Sequence, residues 1–214
     1  MIVPHATSDK FIPIRIISLN MPYPIAHVMF FVFCICAVAV YTTIVALLRR
    51  DISYREIAHI LLLLAIGGFF ALYPDIMAVY NLIVHGNMAH CYIGAIPTHS
   101  LIFSSSAIVL GAIIGYVLYR EQGKALYTGL FAFSASLSHL LLDDLEGTCI
   151  HYLYPISNQE INLFSYIGAG FTRDDLVHSL LVAHTPIIFL VVVMMLALFA
   201  LSHLGFEFRY RPEK

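Results

Sequence analysis

The sequence predicts an all-α fold, a polytopic membrane helix bundle with about five transmembrane helices that forms one integral membrane domain over residues 1–214. Hydrophobic residues make up 60% of the chain and charged residues only 11%, and the mean hydropathy is +0.87. These values lie far from the balance typical of soluble proteins. Five stretches are apolar and close to the roughly 20 residues with which a helix crosses the hydrocarbon core: Ala26–Leu48, Ile57–Tyr73, His99–Tyr119, Ala125–Leu142 and Leu176–Leu204.

The five predicted spans differ in length. The first is expected to stay in the mature protein, because residues 1–21 mix Pro, Asp, Lys and Arg and lack the uninterrupted apolar run of a signal peptide. The second and fourth are short for a crossing, whereas the fifth is long enough to tilt or to continue past the bilayer. The polar segments 74–98 and 144–175 are predicted to be loops, and residues 205–214 a tail.

Positive charge sets the predicted orientation of the helices. Short cytoplasmic loops carry an excess of Lys and Arg, and most of the eleven such residues follow the first, third and fifth spans. The N-terminus is therefore predicted outside and the C-terminus in the cytoplasm, which makes 74–98 and 144–175 outer loops. The predicted cytoplasmic residues are Arg49, Arg50, Arg55, Arg120, Lys124, Arg209, Arg211 and Lys214, and the outer ones are Lys10, Arg15 and Arg173.

Ionisable residues gather at the predicted outer face, and the densest group ends the fourth span. In the segment Ser138-His139-Leu-Leu-Leu-Asp143-Asp144, the His139 and Asp143 side chains are four residues apart and share one helical face. That spacing lets them share a metal ion or a proton. The alternative is a hydrogen-bonded pair that only closes the bundle. Ionisable groups inside a membrane are costly, which favours a functional role.

Two weaker motifs lie at the same face. His99 follows Pro97 and Thr98 at the start of the third span, and a capping or interfacial position also explains it. Asp75 follows the second span, where a solvated helix stop is the simpler explanation. Histidine and aspartate from several helices are nevertheless the ligands with which zinc, or a harder ion such as manganese, supports hydrolysis.

Four motifs occur in the order found in YdjM-like proteins: Pro74-Asp75, Thr98-His99-Ser100-Leu101, Ser138-His139-Leu-Leu-Leu-Asp143 and Tyr152-Leu-Tyr154-Pro155-Ile-Ser157. Over residues 73–157 the chain therefore resembles this family of inner-membrane proteins, which are described as metal-dependent hydrolases and are distantly similar to the zinc-dependent phospholipase C group. The resemblance implies a divalent metal ion, zinc in the first place. It implies Asp75, His99, His139 and Asp143 as ligands, and a loop of Tyr154, Pro155 and Ser157 beside them.

The chain departs from the family pattern at two places. The pattern has a second acid two residues after the first, where this chain has Met77, and a His-Arg-Gly stretch before Thr-His-Ser, where this chain has Gly94-Ala95-Ile96. Asp144, His90 and His85 are the candidates to replace the missing ligands.

Two residues are predicted to move protons beside the metal, namely Asp144 and His178. Asp175 and His178 are three residues apart and can face the same way, although a first helical turn whose acids meet the helix dipole is the simpler explanation. No special role is assigned to some of the other histidines, while His151 in the outer loop remains open. The histidines without an assigned role are His5, His27, His59 and His203.

The four cysteines fall into two settings. Cys34 and Cys36 lie in the first span, where buried thiols are expected. Cys91 and Cys149 lie in the two outer loops and form a disulfide if that compartment is oxidising. Free thiols are equally consistent with the sequence.

Two functional hypotheses follow. The first is a membrane-embedded metal-dependent hydrolase with a His/Asp site at the outer face, acting on a phosphoester or lipid-linked substrate, with membrane lipids and that substrate as partners. The second is a non-catalytic membrane protein, for ion or proton transport or as a structural partner, that uses the same polar cluster. The inner halves of the spans are nearly all apolar, which favours a one-sided site. A net charge of −2 with scattered basic residues argues against nucleic acid.

Overall fold

The computed structural model describes residues 24–86, 89–146, 150–163 and 176–208, without the side chains of Pro24, Glu146 and residues 176–186. In these residues the chain is a helix bundle with one short β-hairpin. The helices are α1 (Pro24–Phe30), α2 (Ala37–Leu48), α3 (Tyr54–Ala71), α4 (Ile76–His85), α5 (Leu101–Tyr119), α6 (Gln122–Glu146) and α7 (Leu176–His203). The antiparallel strands are β1 (Tyr92–Ile93) and β2 (Ile96–Pro97).

Among the described residues, three helices are long and apolar enough to cross a membrane, namely α3, α5 and α6. A fourth span results if α1 and α2 count as one bent crossing. The part of α7 whose side chains are described, from Ile187 to His203, is a shorter apolar helix. Multiple membrane spans are thus present, whereas the number five and the orientation of the termini stay predictions.

The first span is broken, where the sequence predicts one continuous helix. A π-helical turn at Phe31–Ile35 joins α1 to α2, and the two parts are bent by 75°. Such turns bend helices because they interrupt the regular i to i−4 hydrogen bonds. The Phe31 ring is fully buried and fills the place that a side chain at Gly67 of α3 would need. The break therefore coincides with close packing between the first span and α3.

Small residues bring α5 and α6 into close contact. A Cβ atom on Gly111 would lie 2.6 Å from the Cβ of Ala132, and one on Gly129 would lie 2.5 Å from the Ile108 carbonyl oxygen. Small residues at such spacing let the backbones of membrane helices approach closely. The hydroxyls of Ser104 and Ser136 also hydrogen-bond across this interface at 3.0 Å.

The predicted loop 74–98 contains regular structure that the sequence interpretation missed. A 3₁₀ turn at Tyr73–Asp75 leads from α3 into α4, and the β-hairpin precedes α5. The α4 helix is short, and much of its apolar surface is exposed. Length explains the error, because helix α4 and the two-residue strands are too short to give a clear periodicity.

One end of the bundle collects the polar side chains, and we call it the site end. There α1 begins, α3 ends, α5 begins and α6 ends, and α6 packs against α1, α3 and α5. Residues 150–163 fold back over this end, because the His151 N–H donates to the His99 carbonyl at 2.8 Å. This backbone contact brings residue 151 to His99, three residues before the predicted loop of Tyr154, Pro155 and Ser157, whose place beside a metal stays a prediction.

Candidate metal centre

Six histidine and aspartate side chains converge at the site end. They come from α1, the turn after α3, the segment before α5, and α6, so no single helix could assemble them. Five of the residues are buried, and His90 is partly exposed. The six are His27, Asp75, His90, His99, His139 and Asp143.

Four of them are the ligands implied by the family resemblance, and they are in mutual contact. The Nε2 of His99 lies 2.9 Å from Asp143 Oδ2 and 3.4 Å from Asp75 Oδ1. The Nε2 of His139 lies 3.1 Å from Asp143 Oδ2 and 3.5 Å from Asp75 Oδ1. The two Nε2 atoms are 3.3 Å apart. Residues separated by up to 68 positions in the sequence thus bring their ligand atoms to one point.

The other two histidines flank this group on different carboxylates. The His27 ring stacks on the His139 ring with centroids 3.7 Å apart, and its Nε2 lies 3.5 Å from Asp143 Oδ1. The His90 Nε2 lies 4.0 Å from Asp75 Oδ1. Each carboxylate therefore faces three imidazoles.

Hydrogen bonds fix which nitrogen of His99 faces the cluster. The Thr98 hydroxyl donates its single hydrogen to the His90 carbonyl at 2.8 Å, so it must accept from the His99 Nδ1–H, 3.0 Å away. Nε2 is therefore the nitrogen that faces Asp75 and Asp143, and it offers a lone pair to a cation when the ring is neutral.

His139 is oriented in the same way. Its Nδ1 lies 2.7 Å from the carbonyl oxygen of Ala71, and a carbonyl only accepts, so Nδ1 carries the hydrogen. Nε2 is again the nitrogen that faces the cluster. Metal-ligating histidines characteristically donate their other ring N–H to a carbonyl or a similar group. Both central imidazoles are therefore held as metal ligands are held.

Unsatisfied polar atoms test whether a metal ion fits. The His27 Nδ1 and Nε2 atoms and Asp75 Oδ1 are buried and have no hydrogen-bond partner in the described part of the chain. Each such atom costs about 1–3 kcal/mol if nothing satisfies it. A divalent cation among these atoms would bind a lone pair of Asp75 Oδ1 and of one His27 nitrogen, and it would balance the carboxylates. The buried His and Asp groups could thus hold a metal ion.

The electrostatics of Asp75 agree with this chemistry. Burial by itself raises the pKa of Asp75, but the facing His139 and His99 outweigh burial and hold the pKa well below its usual range. The carboxylate is therefore ionised, which is the form that binds a cation.

Of the two predicted proton-transfer residues, only Asp144 has a described side chain, and it contacts Tyr152. Asp144 is fully buried, and its Oδ2 accepts a hydrogen bond of 2.8 Å from the Tyr152 hydroxyl. Burial, together with the bond to Asp144 and its charge, raises the pKa of Tyr152, so that hydroxyl remains a donor. His178 lies in α7, but its side chain, like residue 175, is outside the described part of the chain.

The structure shows which of the remaining histidines belong to the cluster. Of the proposed replacement ligands, His90 joins the cluster, whereas His85 is exposed at the end of α4 and belongs to neither ligand group. His27, to which the sequence interpretation assigned no role, belongs to one of the two groups that could hold a metal ion. The sequence did contain an indication of a role for His27. It is an ionisable residue at the start of an apolar span, at the same predicted membrane face as the other candidate ligands.

Two further sequence predictions concern the loops. His151 is buried, and its Nε2 lies 2.5 Å from the Tyr92 hydroxyl, so its ring packs against β1 and is absent from both described ligand groups. Cys91 is disulfide-bonded, whereas its predicted partner Cys149 is outside the described residues. Cys34 and Cys36 are free thiols, as expected.

Comparison with known proteins assigns the chain to a family. A family model described as YdjM inner membrane protein matches residues 21–209. The chain belongs to the YdjM inner membrane protein family. No curated protein and no solved structure matches it. All six clustered residues of this YdjM-family protein lie inside the matched segment, and its location in the inner membrane agrees with its apolar helices.

Proposed function

We propose that this YdjM-family protein is a membrane-embedded metal-dependent hydrolase. The observation that carries the proposal is the convergence of buried histidines and aspartates from four segments at one end of the bundle. The resemblance to hydrolases distantly similar to zinc-dependent phospholipase C supports the same reaction class.

Asp75, His99, His139 and Asp143 are the proposed metal ligands. Two imidazoles and two carboxylates suit zinc, and also manganese. When bound, such an ion would lower the pKa of a water molecule and polarise a phosphoryl or carbonyl oxygen. The protein would contribute orientation, through the Thr98 hydroxyl on His99 and the Ala71 carbonyl on His139.

Asp144 is the proposed proton-transfer group. It follows the ligand Asp143 directly, and the Tyr152 hydroxyl holds its Oδ2. A carboxylate is one of the side chains that transfer protons in general acid–base catalysis. The role of His178 stays a prediction, because its side chain is outside the described residues.

The surroundings of the site support a lipid-linked phosphoester as substrate. Helix α4 starts directly after Asp75 and exposes large apolar side chains, including Val79 at 60% and Ile83 at 79%. An exposed apolar helix beside a membrane bundle suits the lipid interface. A substrate with its acyl chains in the bilayer would bring its polar head to the site end.

One observation favours a non-catalytic alternative. The His99, His139 and Asp143 side chains are almost completely buried, as expected for a bound cation that braces the bundle or is transported. Transport needs polar groups through the membrane, but the hydroxyls of Ser104 and Ser136, which lie on α5 and α6 within two turns of His99 and His139, bond to each other. We therefore place hydrolysis first.

Turnover by purified protein tests the proposal. The protein in detergent, loaded with Zn²⁺ or Mn²⁺, is given aromatic phosphodiesters and phosphomonoesters and a short-chain phospholipid. We expect hydrolysis that a chelator abolishes and added metal restores. His139→Ala and Asp143→Asn should reduce it to background, whereas His59→Ala, a part-buried histidine contacting Tyr119 away from the cluster, should not. Stoichiometric metal without hydrolysis of any of these substrates would favour the non-catalytic alternative.

A further inference from the structure

The six clustered residues divide into two groups with no shared member. His27, His139 and Asp143 form one group, and Asp75, His90 and His99 form the other. Within each group the three ligand atoms lie within 4.8 Å of one another. Each group contains two imidazoles and one carboxylate, which is a ligand set found in catalytic zinc sites with an open position.

Asp143 connects the two groups. Its Oδ1 faces His27 Nε2 at 3.5 Å, and its Oδ2 lies between the groups, 3.1 Å from His139 Nε2 in its own group and 2.9 Å from His99 Nε2 in the other. A carboxylate whose oxygens face two ligand groups is suited to bridge two cations. Two-metal hydrolases hold their ions about 3.5–4 Å apart, which requires ligand groups in direct contact, as these two groups are.

A single ion on the four central ligands leaves polar atoms unexplained. His27 is 1% exposed, and neither of its ring nitrogens has a hydrogen-bond partner among the described residues. A buried polar atom without a partner costs about 1–3 kcal/mol. An ion between His27, His139 and Asp143 would give His27 Nε2 a partner. A second ion would likewise occupy the side of Asp75 Oδ1 that faces His90 and His99.

We propose that the cluster is a dinuclear centre for divalent cations, with one ion held by His27, His139 and Asp143 and the other by Asp75, His90 and His99. The inference deepens the proposed function, since it rests on the same metal-dependent site. It assigns ligand roles to His27 and His90. Two ions would suit a phosphoester substrate, because a pair of cations can bind both the attacking and the leaving oxygen.

Counting ions on the wild-type protein tests the proposal directly. The full-length protein in detergent is stripped with a chelator, equilibrated with Zn²⁺, freed of excess by gel filtration and analysed by mass spectrometry. We expect two Zn²⁺ ions per chain. One ion per chain would overturn the dinuclear centre and leave the metal-dependent hydrolase standing, whereas none would overturn both.

Variants assign the two ions to their groups. His27→Phe keeps an aromatic ring against His139 but removes both nitrogens, and His90→Ala removes the partly exposed ligand of the other group. Each is expected to retain one Zn²⁺ ion, while His59→Ala retains two. Two ions in His27→Phe or in His90→Ala would contradict the assignment.

A spectroscopic readout on the wild type makes the test independent of variant folding. The apoprotein is loaded with Mn²⁺ and studied by electron paramagnetic resonance. We expect the spectrum of two magnetically coupled ions, because the two groups are in direct contact. A spectrum of isolated Mn²⁺ at full loading would refute a paired site.

Discussion

At the scale of single residues, the groups that bind Nδ1 of the two central histidines determine which ring nitrogen faces the cluster. The Thr98 hydroxyl and the Ala71 carbonyl each bind the Nδ1–H of one histidine. This leaves both Nε2 atoms directed at the same point, together with the ionised Asp75. The two Nε2 atoms face each other at 3.3 Å, a contact that needs a proton or a cation between the nitrogens. The residue-scale geometry therefore suits a cation site.

Thr98→Val tests the role of this orientation. The substitution keeps the shape of the side chain but removes the acceptor for His99 Nδ1, so the ring loses its fixed tautomer. Loss of such an outer contact typically weakens metal binding by about 10–100-fold. Competition with a chelating dye measures the Zn²⁺ affinity.

The matched control is Thr43→Val in α2, whose hydroxyl bonds only within its own helix, to Ala39. Its affinity should equal that of the wild type. Equal affinities for all three proteins would contradict the orienting role of Thr98.

At the scale of elements, two kinds of helix contact position the ligands. The π-helical turn bends the first span where Phe31 packs on α3, and the segment before it carries His27 onto His139. The close contact of α5 with α6 keeps His99 and His139 on adjacent helix ends. Capping defines the starts of α3 and α5. At Ser53, Glu56 completes a capping box, and the Ser100 hydroxyl accepts from the Phe103 N–H.

Gly111→Ala tests the contact between α5 and α6. The added Cβ would lie 2.6 Å from the Ala132 Cβ and 2.9 Å from the Thr128 carbonyl oxygen, so the helices must separate. Such overpacking destabilises by roughly 1–3 kcal/mol. Thermal unfolding in detergent should show a lower midpoint temperature.

Gly68→Ala in the last turn of α3 is the control, because the Cβ there would meet Val28 at an ordinary 3.7 Å. It should be neutral or stabilise by up to about 1 kcal/mol through helix propensity. The same midpoint temperature for the two variants would mean that the α5–α6 contact tolerates an added methyl group.

At the scale of the whole molecule, the alternation of helix direction puts the site at one membrane face. The start of α1, the end of α3, the start of α5 and the end of α6 meet there, because short connections make successive membrane helices antiparallel. Lys and Arg concentrate at the opposite end, at Arg49, Arg50 and Lys124. The charge distribution predicts that the site faces outward and the basic end faces the cytoplasm.

Cysteine labelling tests this orientation. Ile156→Cys lies in the segment over the site end, where Ile156 is 92% exposed, and Arg50→Cys lies at the opposite end. A membrane-impermeant maleimide added to intact spheroplasts should label Ile156→Cys, and should label Arg50→Cys only after the membrane is opened. The parent chain measures the background of Cys34 and Cys36. The reverse pattern would invert the predicted topology.

Sequence alone predicted much of this molecule, because some properties depend on local composition. The membrane setting follows from apolar stretches whose length matches the hydrocarbon core, and the spans that became α3, α5 and α6 were located within a few residues. The spacing of His139 and Asp143 placed them on one helical face, and their contact at 3.1 Å agrees. Family motifs supplied Asp75 and His99, which the structure brings to the same point.

The tertiary structure decided what depends on contacts between distant segments. The bend of the first span, the contact of His27 with His139 and the approach of His90 to Asp75 have no local pattern, because each arises where separate helices pack. The tautomers of His99 and His139 likewise depend on a hydroxyl and a carbonyl from their surroundings. The sequence by itself determined a membrane helix bundle with ionisable residues at one face, since hydropathy and helical spacing are properties of short segments. Only packing decided that six of those residues meet, since a shared site is a property of the assembled helices.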